Sequence, residues 1–227
     1  MNTVSNHGGL GRVVAVSTVA VMIMDVSTQL SDARADEALD RRVLDYLNEH
    51  QRDWHDLNVP YEDGKILHDL ILANGFTRAV EIGTSTGHST IWLAWALSKT
   101  GGHLVTIEID RGRYLEARDH VEAVGLSGHV EFILGDAHRI VPELDGPFDF
   151  VFSDADKDWY VRYFDALYSK LTADACFTAH NVTERAARSR RTWQSEYLTH
   201  VNAVIDMSTF LHPEALNGIA VTCKVVR

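Results

Sequence analysis

The chain predicts an α/β fold: a mostly parallel sheet with helices on both faces and an antiparallel edge at its C-terminal end. Three observations carry that prediction. Between Arg78 and Ala179, short apolar runs alternate with helical periodicity at the spacing of right-handed βαβ crossovers. The segment Ala79-Val80-Glu81-Ile82-Gly83-Thr84-Ser85-Thr86-Gly87-His88-Ser89-Thr90 runs from a buried strand, through an acid and a glycine-bounded turn, into a helix. The last two expected strands, 201–207 and 219–226, have no helix between them, as an antiparallel pair allows.

Each element follows from its local pattern. Ala38, Leu39, Val43, Leu44 and Leu47 recur at helical spacing and predict an amphipathic helix over 36–50. Asn58-Val59-Pro60 interrupts it, and Ile66, Leu67, Leu70 and Ile71 restart the pattern over 62–73 until Asn74-Gly75 stops it. Strands are then expected at 78–82, 104–109, 130–134, 148–153 and 175–179. Helices are expected at 88–98, 113–124, 139–144 and 159–171, followed by a polar helical stretch. Ligands of such sheets bind beyond the carboxyl ends of the strands. Glu81, Glu108, Asp136, Asp154 and His180 all fall at or just after those ends.

Composition narrows the class further. The 227 residues suit one α/β domain with a full core. The formal net charge of −11 leaves no basic face for a nucleic-acid partner, so none is expected. Cys176 and Cys223 lie in apolar strand-like runs and read as buried small hydrophobes rather than a disulfide or zinc site. Residues 1–35 form a separate segment. An apolar run from Val13 to Met24 follows Arg12, and Ala33-Arg34-Ala35 has the form of a cleavage site. The run is too short to span a bilayer, so no stable membrane span is expected, and a signal peptide and an extra helix are both open. The folded domain is expected over 36–227, with 36–75 as a helical cap.

The glycine turn fits three templates. As a dinucleotide fingerprint it is flawed, because Ser85 stands where the middle glycine should admit a pyrophosphate. As a nucleophile elbow it has the chain order Ser85, Asp154, His180, but the upstream strands of a hydrolase are missing. The third template is a nucleoside without phosphate, with Glu108, some twenty residues on, gripping the ribose hydroxyls.

With these residues the chain, over roughly 57–225, resembles class I methyltransferases of the catechol and caffeoyl-CoA O-methyltransferase type. The resemblance implies a seven-stranded Rossmann-like methyltransferase fold and transfer of the methyl of S-adenosylmethionine to an oxygen of a small hydroxylated, aromatic acceptor. It implies cofactor contacts at Asn58 and Val59 in a loop followed by Gly64. Others fall at Glu81, Gly83, Ser85, Gly87 and Ser89 around the turn, at Glu108 and Ile109, and at Asp136, Ala137 and Asp154. In Phe152-Ser153-Asp154-Ala155-Asp156-Lys157 it implies Lys157 as general base and Asp154 as a catalytic residue and metal ligand. Asn181 is the implied second ligand of a divalent cation.

His180 stands where an aspartate ligand is expected. It could ligate and favour transition ions, act as a base in a metal-free site, or hydrogen-bond a neighbour. The bacterial members imply a homodimer. Dependence on S-adenosylmethionine favours the cytoplasm, with export or membrane association through residues 1–35 as the alternative. A nicotinamide-dependent oxidoreductase and a non-catalytic cofactor-binding homologue are the competing readings.

Trp92 and Trp95 read as packing residues, and the run Glu184–Arg191 as a solvated face or an anion contact.

Overall fold

The computed structural model describes residues 15–52, 54, 57–189 and 192–225. It divides into two units, residues 1–41 and 42–227. A single helix α1 (Ala15–Glu49) replaces the separate helix expected from residue 36, so Ala33-Arg34-Ala35 lies exposed within it. The start of the N-terminal segment, residues 1–14, lies outside the described residues. Among the described residues, no helix is long and apolar enough to cross a membrane.

In the second unit, α2 (Tyr61–Asn74) ends on Gly75, whose φ of 66° provides the left-handed turn that stops the helix. Seven strands then form one sheet: β1 (Arg78–Ile82), β2 (His103–Glu108), β3 (Val130–Leu134), β4 (Phe148–Ser153), β5 (Leu171–His180), β6 (Met207–Leu211) and β7 (Ile219–Lys224). Helices α3 (His88–Thr100), α4 (Arg111–Ala123), α5 (Ala137–Glu143) and α6 (Tyr160–Tyr168) join the parallel strands. α7 (Glu184–Ala187) and α8 (Trp193–Ala203) precede the antiparallel edge. The strand order is β3-β2-β1-β4-β5-β7-β6, with β1 to β5 parallel and β7 antiparallel to both β5 and β6. The seven-stranded, mostly parallel Rossmann-like sheet with an antiparallel C-terminal edge expected from the sequence is therefore present. Chain progression reverses between β1 and β4, and the crevice of such a sheet opens at that point. Val80, Ile82, Val151 and Phe177 are wholly buried at its centre, because helices cover both faces.

Two expectations need correction. The sixth strand was expected over 201–207, but Val201 lies in the last turns of α8, its side chain buried with that of Tyr197 one turn earlier. An apolar pair four apart fits a helix as well as a strand, and the chain turns into β6 only at Met207. The cysteines are joined: Cys176 and Cys223 form a disulfide. They are directly opposed partners on β5 and β7, 47 residues apart in sequence, and only the strand pairing brings them together.

Trp92 and Trp95 pack in the interior, as expected. A Cβ at Gly64 would come within 2.2 Å of the Trp92 ring, so the glycine lets α2 lie on α3. In the charged run, Arg188 pairs with Glu184 at 3.1 Å on an exposed surface, and positions 190 and 191 lie outside the described residues.

Candidate active site

The carboxyl ends of β1 to β5 border a cavity of about 550 Å³, in the size range of small-molecule pockets. Leu57, Asn58, Gly83, Ser85, Glu108, Ile109, Arg113, Asp136, Ala137, His138, Asp154, Lys157, His180, Asn181 and Asn217 are among its lining residues. Of the non-glycine residues with positive φ among those described, Leu57 (57°), Ser85 (49°) and Asn181 (61°), all three face this cavity. Each such conformation costs on the order of 1–3 kcal/mol and survives only where its surroundings enforce it.

The turn after β1 is held from within. The amides of Gly83 and Thr84 donate to the Ile107 carbonyl at 3.0 and 3.1 Å, and that of Gly87 to the Thr84 carbonyl at 3.1 Å. The Ser85 amide donates to Glu108 Oε2 at 2.8 Å. Gly83, with φ 99°, is required because a Cβ there would meet the Asp154 carbonyl at 2.7 Å. Glu108 also accepts from the Asp110 amide through Oε1, at 2.9 Å. Both oxygens are thus anchored by backbone, and each keeps further acceptor capacity on the cavity side.

Four residues expected at the cofactor lie behind the lining rather than in it: Val59, Glu81, Gly87 and Ser89. The Val59 carbonyl takes a hydrogen bond from His88 Nδ1 at 2.8 Å. A Cβ on Gly87 would meet Ala117 of α4 at 3.0 Å, so this glycine serves helix packing. Glu81 is fully buried and accepts hydroxyl hydrogen bonds from Ser89, Thr90 and Thr106, each at 2.6 Å. Ser89 is therefore turned to Glu81.

Burial outweighs those three bonds and pushes the Glu81 carboxyl up to about 7. Folded Glu81 consequently holds a proton between about pH 4.5 and about pH 7 that the unfolded chain has released. Its stabilising contribution is complete below pH 4.5 and is lost as pH rises through 7. Glu81→Gln removes this dependence. Its stability relative to the parent is expected to improve between about pH 5 and about pH 8 by up to the order of 3 kcal/mol. Urea unfolding at both pH values measures it, and an equal difference at both would refute the assignment.

The most connected cluster sits between β4 and β5. Asp154 Oδ1 takes a short hydrogen bond from Lys157 Nζ, which also reaches the Tyr160 hydroxyl at 2.8 Å. Asp154 Oδ2 lies 3.0 Å from His180 Nδ1, and His180 Nε2 lies 2.9 Å from Asp63 Oδ2. Asp63 is completely buried and also accepts the amides of Leu216 and Asn217 at 2.7 and 3.1 Å. Burial alone would raise its pKa, but hydrogen bonds from His180 and these amides hold it below the usual carboxylate value. Burial would likewise lower the pKa of His180, yet hydrogen bonds to Asp154 and Asp63 outweigh it and push the ring up to about 8. Across the cavity, His138 stacks on Trp159 with centroids 3.6 Å apart and pairs with Asp156 at 3.2 Å.

Residues 33–189 match the O-methyltransferase family. The chain belongs to that family. Over 112 residues it is 38% identical to a catechol O-methyltransferase of Niastella koreensis, a match covering 48% of this chain and 50% of that protein. It is 32% identical over 120 residues to caffeoyl-CoA O-methyltransferase 1 of Zea mays, covering 50% and 46% respectively. The chain thus spans about half the length of the curated relatives it matches. Among solved structures, the O-methyltransferase TomG of Streptomyces achromogenes, in complex with SAM, superposes with TM-score 0.69 at 28% identity, over 82% of this chain and 90% of that one. An O-methyltransferase from Bacillus cereus gives TM-score 0.70 at 24% identity, over 81% and 90%, and shows the shared fold.

In this O-methyltransferase-family chain, sequence reasoning missed Asp63, Arg113 and Asn217. Asp63 looks like an ordinary acid in the first turn of a helix, and only tertiary contact makes it a partner of His180.

The donor set does not fit the expected divalent cation. Ionised carboxylates can only accept, so both nitrogens of His180 donate, and neither keeps a lone pair for a metal. Asp63 and Asp154 occupy opposite edges of the ring instead of converging. Among the described residues no cluster of His, Cys, Asp and Glu is arranged to hold an ion.

Proposed function

We propose that this chain transfers the methyl group of S-adenosylmethionine to the oxygen of a small hydroxylated aromatic acceptor. The observation that carries the reading is the pairing of Glu108 with the adjoining turn. A carboxylate anchored on two amides faces the cavity, matched to a vicinal diol. The Gly83, Thr84, Ser85 and Gly87 amides that would cradle a pyrophosphate are already spent. That combination suits a nucleoside without phosphate and disfavours a nicotinamide dinucleotide.

Glu108 would hold the ribose hydroxyls and Ile109 would pack on the base. Asp136, Ala137, Asn58, Gly83, Ser85 and Asp154 would complete the wall. The chemistry supplied by the bound cofactor is an electrophilic methyl on a sulfonium sulfur. The chain's own task is to present a deprotonated, aligned oxygen. Lys157 as the amine takes the proton of the acceptor hydroxyl, while Asp154 and Tyr160 fix the position of Nζ and Asp154 stabilises the ammonium that results. No step requires a metal.

Calorimetry with S-adenosylhomocysteine and with NADH, followed by methylation of a panel of catechols and phenols, tests the reading. Binding of the first ligand alone, with methyl transfer to at least one phenol, is expected. Binding of NADH instead would overturn it.

A further inference from the structure

We propose that the Asp63–His180 pair closes this site to divalent cations, Asp63 acting as the positioning residue that aims the imidazole at Asp154. The inference rests on the cavity being the methyl-transfer site proposed above. It follows from three features of the geometry.

First, His180 is almost wholly buried, with each ring nitrogen bound to a different carboxylate, at 3.0 and 2.9 Å. A cation could reach a ring nitrogen only by displacing a proton and one of these charge-assisted bonds. Second, Asp154 is already served twice, by Lys157 on one oxygen and His180 on the other. The imidazole N–H thereby meets an acceptor that would otherwise invite an ion. Third, Asp63 cannot swing away. The amides of Leu216 and Asn217 grip its carboxylate, and Gly218, with φ 83°, makes the turn that follows them. A Cβ at Gly218 would stand 2.4 Å from the Val182 carbonyl, so this turn is packed against the chain just after His180 and Asn181. The loop between β6 and β7, helix α2 and the end of β5 thus meet on one carboxylate. Nothing in the sequence around Asp63 announces that role.

The test is a Mn2+ titration of the full chain with S-adenosylhomocysteine present, read by electron paramagnetic resonance and by the ring N–H signals of His180 in 1H–15N NMR. The expected result is no stoichiometric Mn2+ on the parent protein. His180→Asp, which places a third carboxylate beside Asp63 and Asp154, should bind one Mn2+ at least about tenfold more tightly. One Mn2+ per parent chain, with His180 signals broadened, would overturn the inference without needing any variant. For the positioning role, Asp63→Asn should move the Nδ1 proton resonance of His180, on the ring edge that faces Asp154, and an unmoved Nδ1 signal would show that Asp63 is merely structural. Calorimetry of S-adenosylhomocysteine on the same sample separates the two readings. Loss of that binding would sink the proposed function, whereas Mn2+ bound beside the nucleoside would sink only this inference.

Discussion

Replacing Lys157 by methionine is expected to lower kcat by about 10²–10⁴-fold, the range for losing a positioned general base, with S-adenosylhomocysteine affinity changed by no more than about threefold. The reason lies in where Lys157 sits. Its Nζ is tied to Asp154 and to the Tyr160 hydroxyl at 2.8 Å, so the nitrogen is held against the cavity wall rather than wandering in solvent. Methionine keeps much of the aliphatic stem and removes the only atom that can take a proton. A structural role would instead show as a fall in thermal stability with little loss per folded molecule. Kinetics with whichever phenol of the panel turns over, beside a thermal melt, distinguishes the two. If Lys157→Met retains parental kcat, the proton goes elsewhere and the assignment fails.

The second large effect is expected at Glu108. Glu108→Ala should weaken S-adenosylhomocysteine by about tenfold to a hundredfold, since a hydrogen bond to a charged group contributes about 1.5–3 kcal/mol. Two losses combine. The diol loses its acceptors, and the Ser85 amide loses the carboxylate that holds it at φ 49°. Glu108→Gln separates them, because its amide oxygen can still take the Ser85 N–H while the charge is gone. Intermediate affinity is expected for Gln, measured by calorimetry. Affinity unchanged in both variants would remove the ribose from this end of β2.

Much of this was legible beforehand because it is local. Strand-to-helix alternation, the glycine turn and the Asp154–Lys157 spacing are short-range patterns, and a parallel sheet turns them into a common rim. Glu81 shows where such reading stops. An acid ahead of a glycine turn looks like a ligand contact, yet its side chain points into the interior, where three hydroxyls surround it. The α8–β6 boundary was misplaced because apolar residues four apart serve either state, and burial beside Tyr197 decides for the helix.

The order of residues alone determined the fold family, the position of the crevice and the placing of Glu108, Asp136, Asp154 and Lys157 on its rim. Those features depend on periodicity and on neighbours within a few positions. Only the folded chain decided that Cys176 meets Cys223 and that His180 is spoken for on both nitrogens. Those facts depend on groups separated by 47 and 117 residues in sequence, and only strand pairing and helix packing bring them within bonding reach.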